Sequence, residues 1–139
     1  MNGDNGAFID NDYCFACGSK NPLGLCLSFT THDDKTCTTE FTALPHHQGF
    51  EGVLHGGLIA TIADDLMNNH LHRMYNLTTA TAELTIRYRK PVPTETLLLF
   101  TSRLTESKGR IHEMECTVQI KGENVVLSVC KGRFLEIKE

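Results

Sequence analysis

The stretch Gly56-Gly57-Leu58-Ile59-Ala60-Thr61-Ile62-Ala63-Asp64-Asp65-Leu66-Met67-Asn68-Asn69-His70-Leu71-His72-Arg73-Met74 is where the chain changes period. Leu58, Ile59, Ile62, Ala63, Leu66, Met67, Leu71 and Met74 recur at helical spacing and define one apolar stripe on a single long helix. On either side the pattern is that of strands. Upstream, Asn21-Pro22-Leu23-Gly24 is a turn, and Leu25 to Thr30 and Thr36 to Ala43 predict two strands joined at His32-Asp33-Asp34. Pro45 to Gly57 is a loop carrying four glycines. Downstream, Ala82, Leu84, Ile86 and Tyr88 share one face of a strand that stops at Pro91 and Pro93. Thr96 to Leu104, the alternating Met114, Cys116, Val118 and Ile120, and Val125 to Ile137 make three more, separated by glycine-containing turns. Such short connections require antiparallel pairing. The expectation is an α+β domain: a curved antiparallel sheet, a strand pair followed by a meander of about four, wrapped around one long central helix.

The 139 residues suit one domain spanning 1–139, with the polar, Gly/Asn/Asp-rich residues 1–12 a loose lead-in. Hydrophobic residues at 40% and charged residues at 22% fit an ordinary globular composition. A formal net charge of −4 argues against a nucleic-acid partner, which needs a basic face. The apolar runs are too short for a membrane span, and the acidic start of the chain is unlike a signal peptide. The cytoplasm is therefore the expected location, and the six cysteines are expected to be reduced. Cys14 and Cys17 form a CxxC with Cys26 and Cys37 as conceivable further zinc ligands, but the second half that would make the pattern strong is missing. Cys116 and Cys130 sit on strand-like stretches as small hydrophobes. No metal is assigned.

Opposite the apolar stripe lie Thr61, Asp64 and Asn68, flanked by Asp65 and Asn69. A polar helix face usually meets only water. Here it lacks the Glu/Lys pairs of a solvated face. The helix also opens on His55-Gly56-Gly57, with no Ser, Thr or Asp cap, leaving its first N–H groups without an evident side-chain acceptor. Free N–H groups beside glycine can hold an oxyanion, as acyl transfer requires. Asp64 lies eight residues past Gly56, about 12 Å along a helix axis. If both act in one reaction, two antiparallel helices related by a two-fold would bring each Asp64 to the other's start.

The segment His47-Gln48-Gly49-Phe50-Glu51-Gly52-Val53-Leu54-His55-Gly56-Gly57-Leu58-Ile59-Ala60-Thr61-Ile62-Ala63-Asp64 resembles the central motif of PaaI-like acyl-CoA thioesterases, hotdog proteins of the 4-hydroxybenzoyl-CoA thioesterase superfamily. Cys14 to Leu25 and Thr81 to Pro93 match the segments before and after it. The resemblance implies a hotdog fold, a homodimer or a dimer of dimers, and hydrolysis of an acyl-CoA substrate. It implies that Gly56 donates its N–H to the thioester carbonyl and that His55 supports that site. Asp64 would be general base or nucleophile, and Thr81 would orient water. Asp64 and Thr81 would come from one subunit, His55 and Gly56 from the other. The amide found six residues before the His in some relatives is replaced by Gly49, with Gln48 beside it. Asp65 is a second acid next to Asp64; helix face and family register both select Asp64.

Gln48, Gly57 and Asn68 are further expected substrate contacts, and Arg87, Arg89 and Lys90, with Lys108 and Arg110, are candidates for the CoA phosphates, equally readable as solvated strand-edge charges. No cofactor is expected, because coenzyme A is part of the substrate. Two other readings remain: a hotdog dehydratase acting on hydroxyacyl thioesters, whose characteristic segment is lacking, and a non-catalytic acyl-CoA-binding protein, against which the presence of Asp64 counts.

Overall fold

The computed structural model describes residues 12–137, so the expected lead-in, apart from Asp12, lies outside the described residues. The strands are β1 (Thr30–Thr31), β2 (Cys37–Thr42), β3 (Thr79–Tyr88), β4 (Leu97–Lys108), β5 (Ile111–Ile120) and β6 (Ser128–Glu136). The helix α1 (Gly56–Tyr75) runs between β2 and β3. All strands join one antiparallel sheet in the order β1-β2-β4-β5-β6-β3. A curved sheet around one long helix is the architecture expected.

The apolar stripe buries Ile59, Ile62, Ala63, Leu66, Met67 and Leu71 against the sheet. Each of the larger side chains is worth about 1.5–3 kcal/mol of burial. Gly132 on β6 lets the helix sit close: a Cβ there would come within 2.6 Å of the Phe134 ring and 3.1 Å of the Met67 methyl. Asn76, in the left-handed conformation at φ 57°, ends the helix and turns the chain toward β3.

His70, on the same buried face, is fully enclosed yet satisfied, with Nδ1 2.9 Å from Ser102 Oγ and Nε2 3.1 Å from the Lys35 carbonyl. Burial pushes its pKa below the usual histidine value. His70 thereby fastens α1 to β4 and to the turn between β1 and β2.

Three expectations need correction. Of the strand expected over Leu25 to Thr30, only Thr30 pairs with β2. The rest instead bonds the loop before it, Leu25 N–H to the Phe15 carbonyl and Leu27 N–H to the Ala16 carbonyl, and Cys26 takes a positive φ of 53° that breaks an extended run. The last four strands are not a simple meander. β4, β5 and β6 are, but β3 pairs with β6, and β2 takes the place beside β4.

The third correction concerns β3 itself. Its pairing with β6 shifts register between Thr81 and Glu83, so Ala82 is an extra residue. A bulge inverts the alternation of faces. Leu84 and Ile86 pack on the core, and Tyr88 bonds α1. Beyond the bulge it is Thr79 and Thr81, not Ala82, that meet α1, bonding Asn68 and Asp64.

Candidate active site

The start of α1 is held in a frame of backbone bonds. His55 N–H donates to the His47 carbonyl, Leu54 N–H to the Val92 carbonyl, and Gly49 N–H to the Val53 carbonyl. Contrary to the sequence expectation, the helix does have a side-chain cap. His55 Nδ1 accepts the Gly57 N–H at 2.9 Å, which places the proton of the neutral ring on Nε2. The carbonyl of His55 accepts from Leu58 and Ile59. Among the described residues the Gly56 N–H makes no hydrogen bond, so the cap narrows the free donors at the helix start to that one.

Tyr88 closes one side of this position. Its hydroxyl donates to the Gly56 carbonyl at 2.9 Å, and its ring lies where a Cβ at residue 56 would stand 3.3 Å away. Only glycine leaves the backbone uncovered under that ring. Gly56 and His55 open on a cleft of about 630 Å³ bordered by Phe50, Tyr88, Arg89, Lys90 and Pro91. Phe50 is 86% exposed, a large apolar ring at the mouth of the cleft. The sequence reading treated Tyr88 only as a strand-face residue; its place one residue before Arg89-Lys90-Pro91 is the signal that it reaches the same cleft.

Asp64 stands two turns further along the helix. Its Oδ1 accepts the Thr81 hydroxyl at 2.7 Å. Burial raises its pKa above the ordinary carboxylate value, and the Thr81 bond offsets part of that rise. Beneath it, burial and the Asp64 charge push the Cys130 thiol up to about 12, so Cys130 stays protonated and is no nucleophile at neutral pH. Asp65 points elsewhere: its carboxylate accepts from the Cys14 thiol at 3.8 Å. The two adjacent acids thus serve different sides of the helix.

The other expected residues are spread around these two centres. Asn68 accepts from the Thr79 hydroxyl at 3.0 Å and donates to the Thr79 carbonyl at 3.3 Å, tying α1 to β3. Gln48 accepts the Gly52 N–H at 3.0 Å, and with Gly57 it borders a second hollow on the other side of His55. Arg89 and Lys90 border the Gly56 cleft, whereas Arg87 lines a separate groove with Glu115 and Lys131. Within one chain the structure therefore groups Gly56 with His55, and Asp64 with Thr81, as two half-sites. Among the described residues one cluster gathers three potential metal-ligand atoms within 4.8 Å of one another, Cys14 with Cys17 and Asp65, and it belongs to neither half.

One long helix cradled by a curved antiparallel sheet is the architecture of a hotdog domain. The chain belongs to the thioesterase superfamily, whose family model matches residues 51–127. The resemblance read from the motif is borne out. Among curated proteins, the acyl-coenzyme A thioesterase THEM4 of Bos taurus is 29% identical over 124 residues, 88% of this chain and 51% of that protein. The THEM4 protein of Mus musculus is 30% identical over 104 residues, 75% of this chain and 44% of that one. The chain spans about half the length of these curated relatives. A crystal structure of a thioesterase superfamily protein superposes with a TM-score of 0.81 at 22% identity, over 89% of this chain and 60% of that one. The E. coli PaaI protein of the phenylacetic acid degradation operon gives 0.72 at 14%, over 82% and 81%. A Bacillus halodurans protein solved with CoA gives 0.71 at 19%, over 83% and 76%. At these identities the solved structures establish the shared fold. No helix among the described residues is long and apolar enough to cross a membrane.

Proposed function

We propose that this protein hydrolyses acyl-CoA thioesters to free acid and CoA, in active sites each assembled from two subunits. The observation that carries the reading is the pair of half-sites on α1: a Gly56 N–H without a partner among the described residues, beside the cleft bordered by Phe50, Tyr88 and Arg89, and a desolvated Asp64 held by Thr81. The THEM4 relatives, named acyl-coenzyme A thioesterases, support the substrate class.

The thioester carbonyl oxygen lies against the Gly56 N–H, where a backbone donor at a helix start stabilises the charge that develops on it. His55 acts through its Nδ1 cap, which fixes the peptide that presents Gly56. Asp64 takes a proton from a water held with the help of Thr81, and the water attacks the carbonyl carbon. The tetrahedral intermediate collapses to the acid, and the departing thiolate recovers the proton from Asp64. A direct attack by Asp64 through an anhydride uses the same groups. Both routes run on protein groups and water, so no cofactor enters the proposal.

The separation along α1 supports a dimer about a two-fold, and β3 provides a means. Among the described residues it is a ten-residue strand at the end of the sheet, paired only with β6, and an edge of that length invites a partner strand. In this arrangement Asp64 and Thr81 of one subunit complete the site begun by His55 and Gly56 of the other, and a dimer of dimers is the larger assembly. Arg89 and Lys90, beside the cleft, receive the CoA phosphates; Arg87, Gln48, Gly57 and Asn68 remain proposed substrate contacts. The cytoplasm is the proposed location.

The test is thiol release from a panel of aryl-CoA and fatty acyl-CoA substrates. Hydrolysis by the wild type, lost in Asp64→Ala and kept in Asp65→Ala, is the expected result. Acyl-CoA binding without turnover would make the protein a non-catalytic binder, and loss in Asp65→Ala alone would move the base.

A further inference from the structure

The Cys14-Phe15-Ala16-Cys17-Gly18 segment has no part in the reaction described above, yet it is built with unusual constraint. Gly18 N–H donates to the Cys14 carbonyl at 2.8 Å, and Lys20 N–H to the Asp12 carbonyl at 2.9 Å, so the chain folds back tightly on itself. A Cβ at Gly18 would lie 2.4 Å from the Asp12 carbonyl oxygen and 2.5 Å from the Cys14 nitrogen, so only glycine closes this loop. The closure aims the Cys17 N–H at Cys14 Sγ, 3.5 Å away.

Helix α1 supplies the third group. Asp65, 51 positions along the chain, has Oδ1 3.8 Å from Cys14 Sγ. The Cys17 thiol lies within hydrogen-bonding reach of both Cys14 and Asp65, as the donor to the carboxylate. One ligand atom from each of the three residues lies within 4.8 Å of the other two, and all three residues are half-buried. Tetrahedral zinc, with Zn–S of about 2.3 Å and Zn–O of about 2.0–2.2 Å, sets its ligand atoms roughly 3.5–3.8 Å apart. The Cys14–Asp65 separation already matches, and the remaining pairs need at most about one ångström of closure, within the reach of side-chain torsions.

We propose that Cys14, Cys17 and Asp65 bind a zinc ion, with solvent as the fourth ligand. Binding releases the two thiol protons to solvent, and the two thiolates and the carboxylate together balance the dication to a net charge of −1. The CxxC had lacked a second half in the sequence because its partner is a helical aspartate, and neither Cys26 nor Cys37 joins the cluster. The ion pins the loop from Cys14 to Cys17 onto α1 at the residue next to Asp64. This proposal stands independently of the acyl-CoA reading.

The experiment is a titration of the reduced, chelator-treated full chain with cobalt(II) chloride, followed by zinc chloride. One equivalent of cobalt is expected to produce the thiolate-to-metal charge-transfer band and tetrahedral visible bands, and zinc is expected to displace it. Cys17→Ser should weaken binding at least about 100-fold and Asp65→Asn at least about 10-fold with the charge-transfer band retained, since losing a ligand should cost no less than losing an outer-shell partner, about 10- to 100-fold. Circular dichroism establishes that each variant is folded, and the wild-type titration needs no variant. Absence of a charge-transfer band in the reduced wild type would overturn the proposal. So would unchanged binding in folded Cys17→Ser or Asp65→Asn.

Discussion

Thr81 reaches Asp64 with a 2.7 Å hydrogen bond only because Ala82, next to it, drops out of register with β6. Without that bulge, the alternation set by Leu84, Ile86 and Tyr88 would point Thr81 away from the helix. The bulge therefore places the hydroxyl against the buried carboxylate, and the two opposing influences on Asp64 can be separated by mutation.

In Thr81→Val the desolvation of Asp64 is left unopposed, so its pKa rises further. The acid limb of kcat/KM against pH should move to higher pH, and the rate near neutrality should fall about tenfold, the worth of one hydrogen bond to a charged group. Part of the loss should return as pH is raised past the shifted limb. An acid limb that does not move would detach Thr81 from the base.

Asp64 should also cost stability. Its folded pKa lies above the unfolded value of 3.8, so the folded state holds the proton more tightly. The favourable contribution is complete below that unfolded value and is lost as pH rises through the folded one. At pH 7 the ionised, half-buried carboxylate opposes folding, and Asp64→Asn should be stabilised by about 1 kcal/mol while losing activity. The gain should vanish near pH 4. Urea unfolding of both proteins at the two pH values checks the sign.

The helix, its buried face and the position of Asp64 were legible because a 3.6-residue period over some twenty residues admits few other readings. The bulge at Ala82 was not, since alternation carries no mark of an extra residue when Thr, Ala and Glu all suit an exposed strand. The pairing of β3 with β6 was hidden for a related reason: strand order depends on which edges meet across the helix, a long-range choice. His55 as a cap was missed because imidazole is an uncommon cap, though its Nδ1 accepts the N–H two residues on much as an Asn oxygen would. Asp65 was separable from Asp64 by helix face, but the thiols facing it come from a loop no local pattern could place.

His70 predicts an acid-sensitive fold. Burial holds its folded pKa below the usual value of 6.5, so on acidification the unfolded chain takes up this proton first. Its contribution is intact above pH 6.5 and is lost as pH falls from there toward the folded value. His70→Gln should cost about 1–3 kcal/mol at pH 7.5, leaving Ser102 Oγ or the Lys35 carbonyl short of a partner, and should flatten the stability slope between pH 6.5 and 5. His47 shifts in the same direction through burial and His46, so His47→Gln is the control. A slope that follows His47 instead would assign the acid sensitivity to the loop.

The division of each site between subunits makes the strongest demand. Gly56→Ala puts a Cβ 3.3 Å from the Tyr88 ring, at the position proposed for the substrate carbonyl, and Asp64→Ala removes the base from the other half. Each homodimer should be nearly inactive. If the halves come from different subunits, a heterodimer of the two variants contains one site with both defects and one with neither. Unfolding and refolding an equimolar mixture should then restore about a quarter of wild-type activity, from half the dimers carrying one working site of two. Halves supplied by a single chain would leave every site with one defect, and the mixture would stay as inactive as its parents.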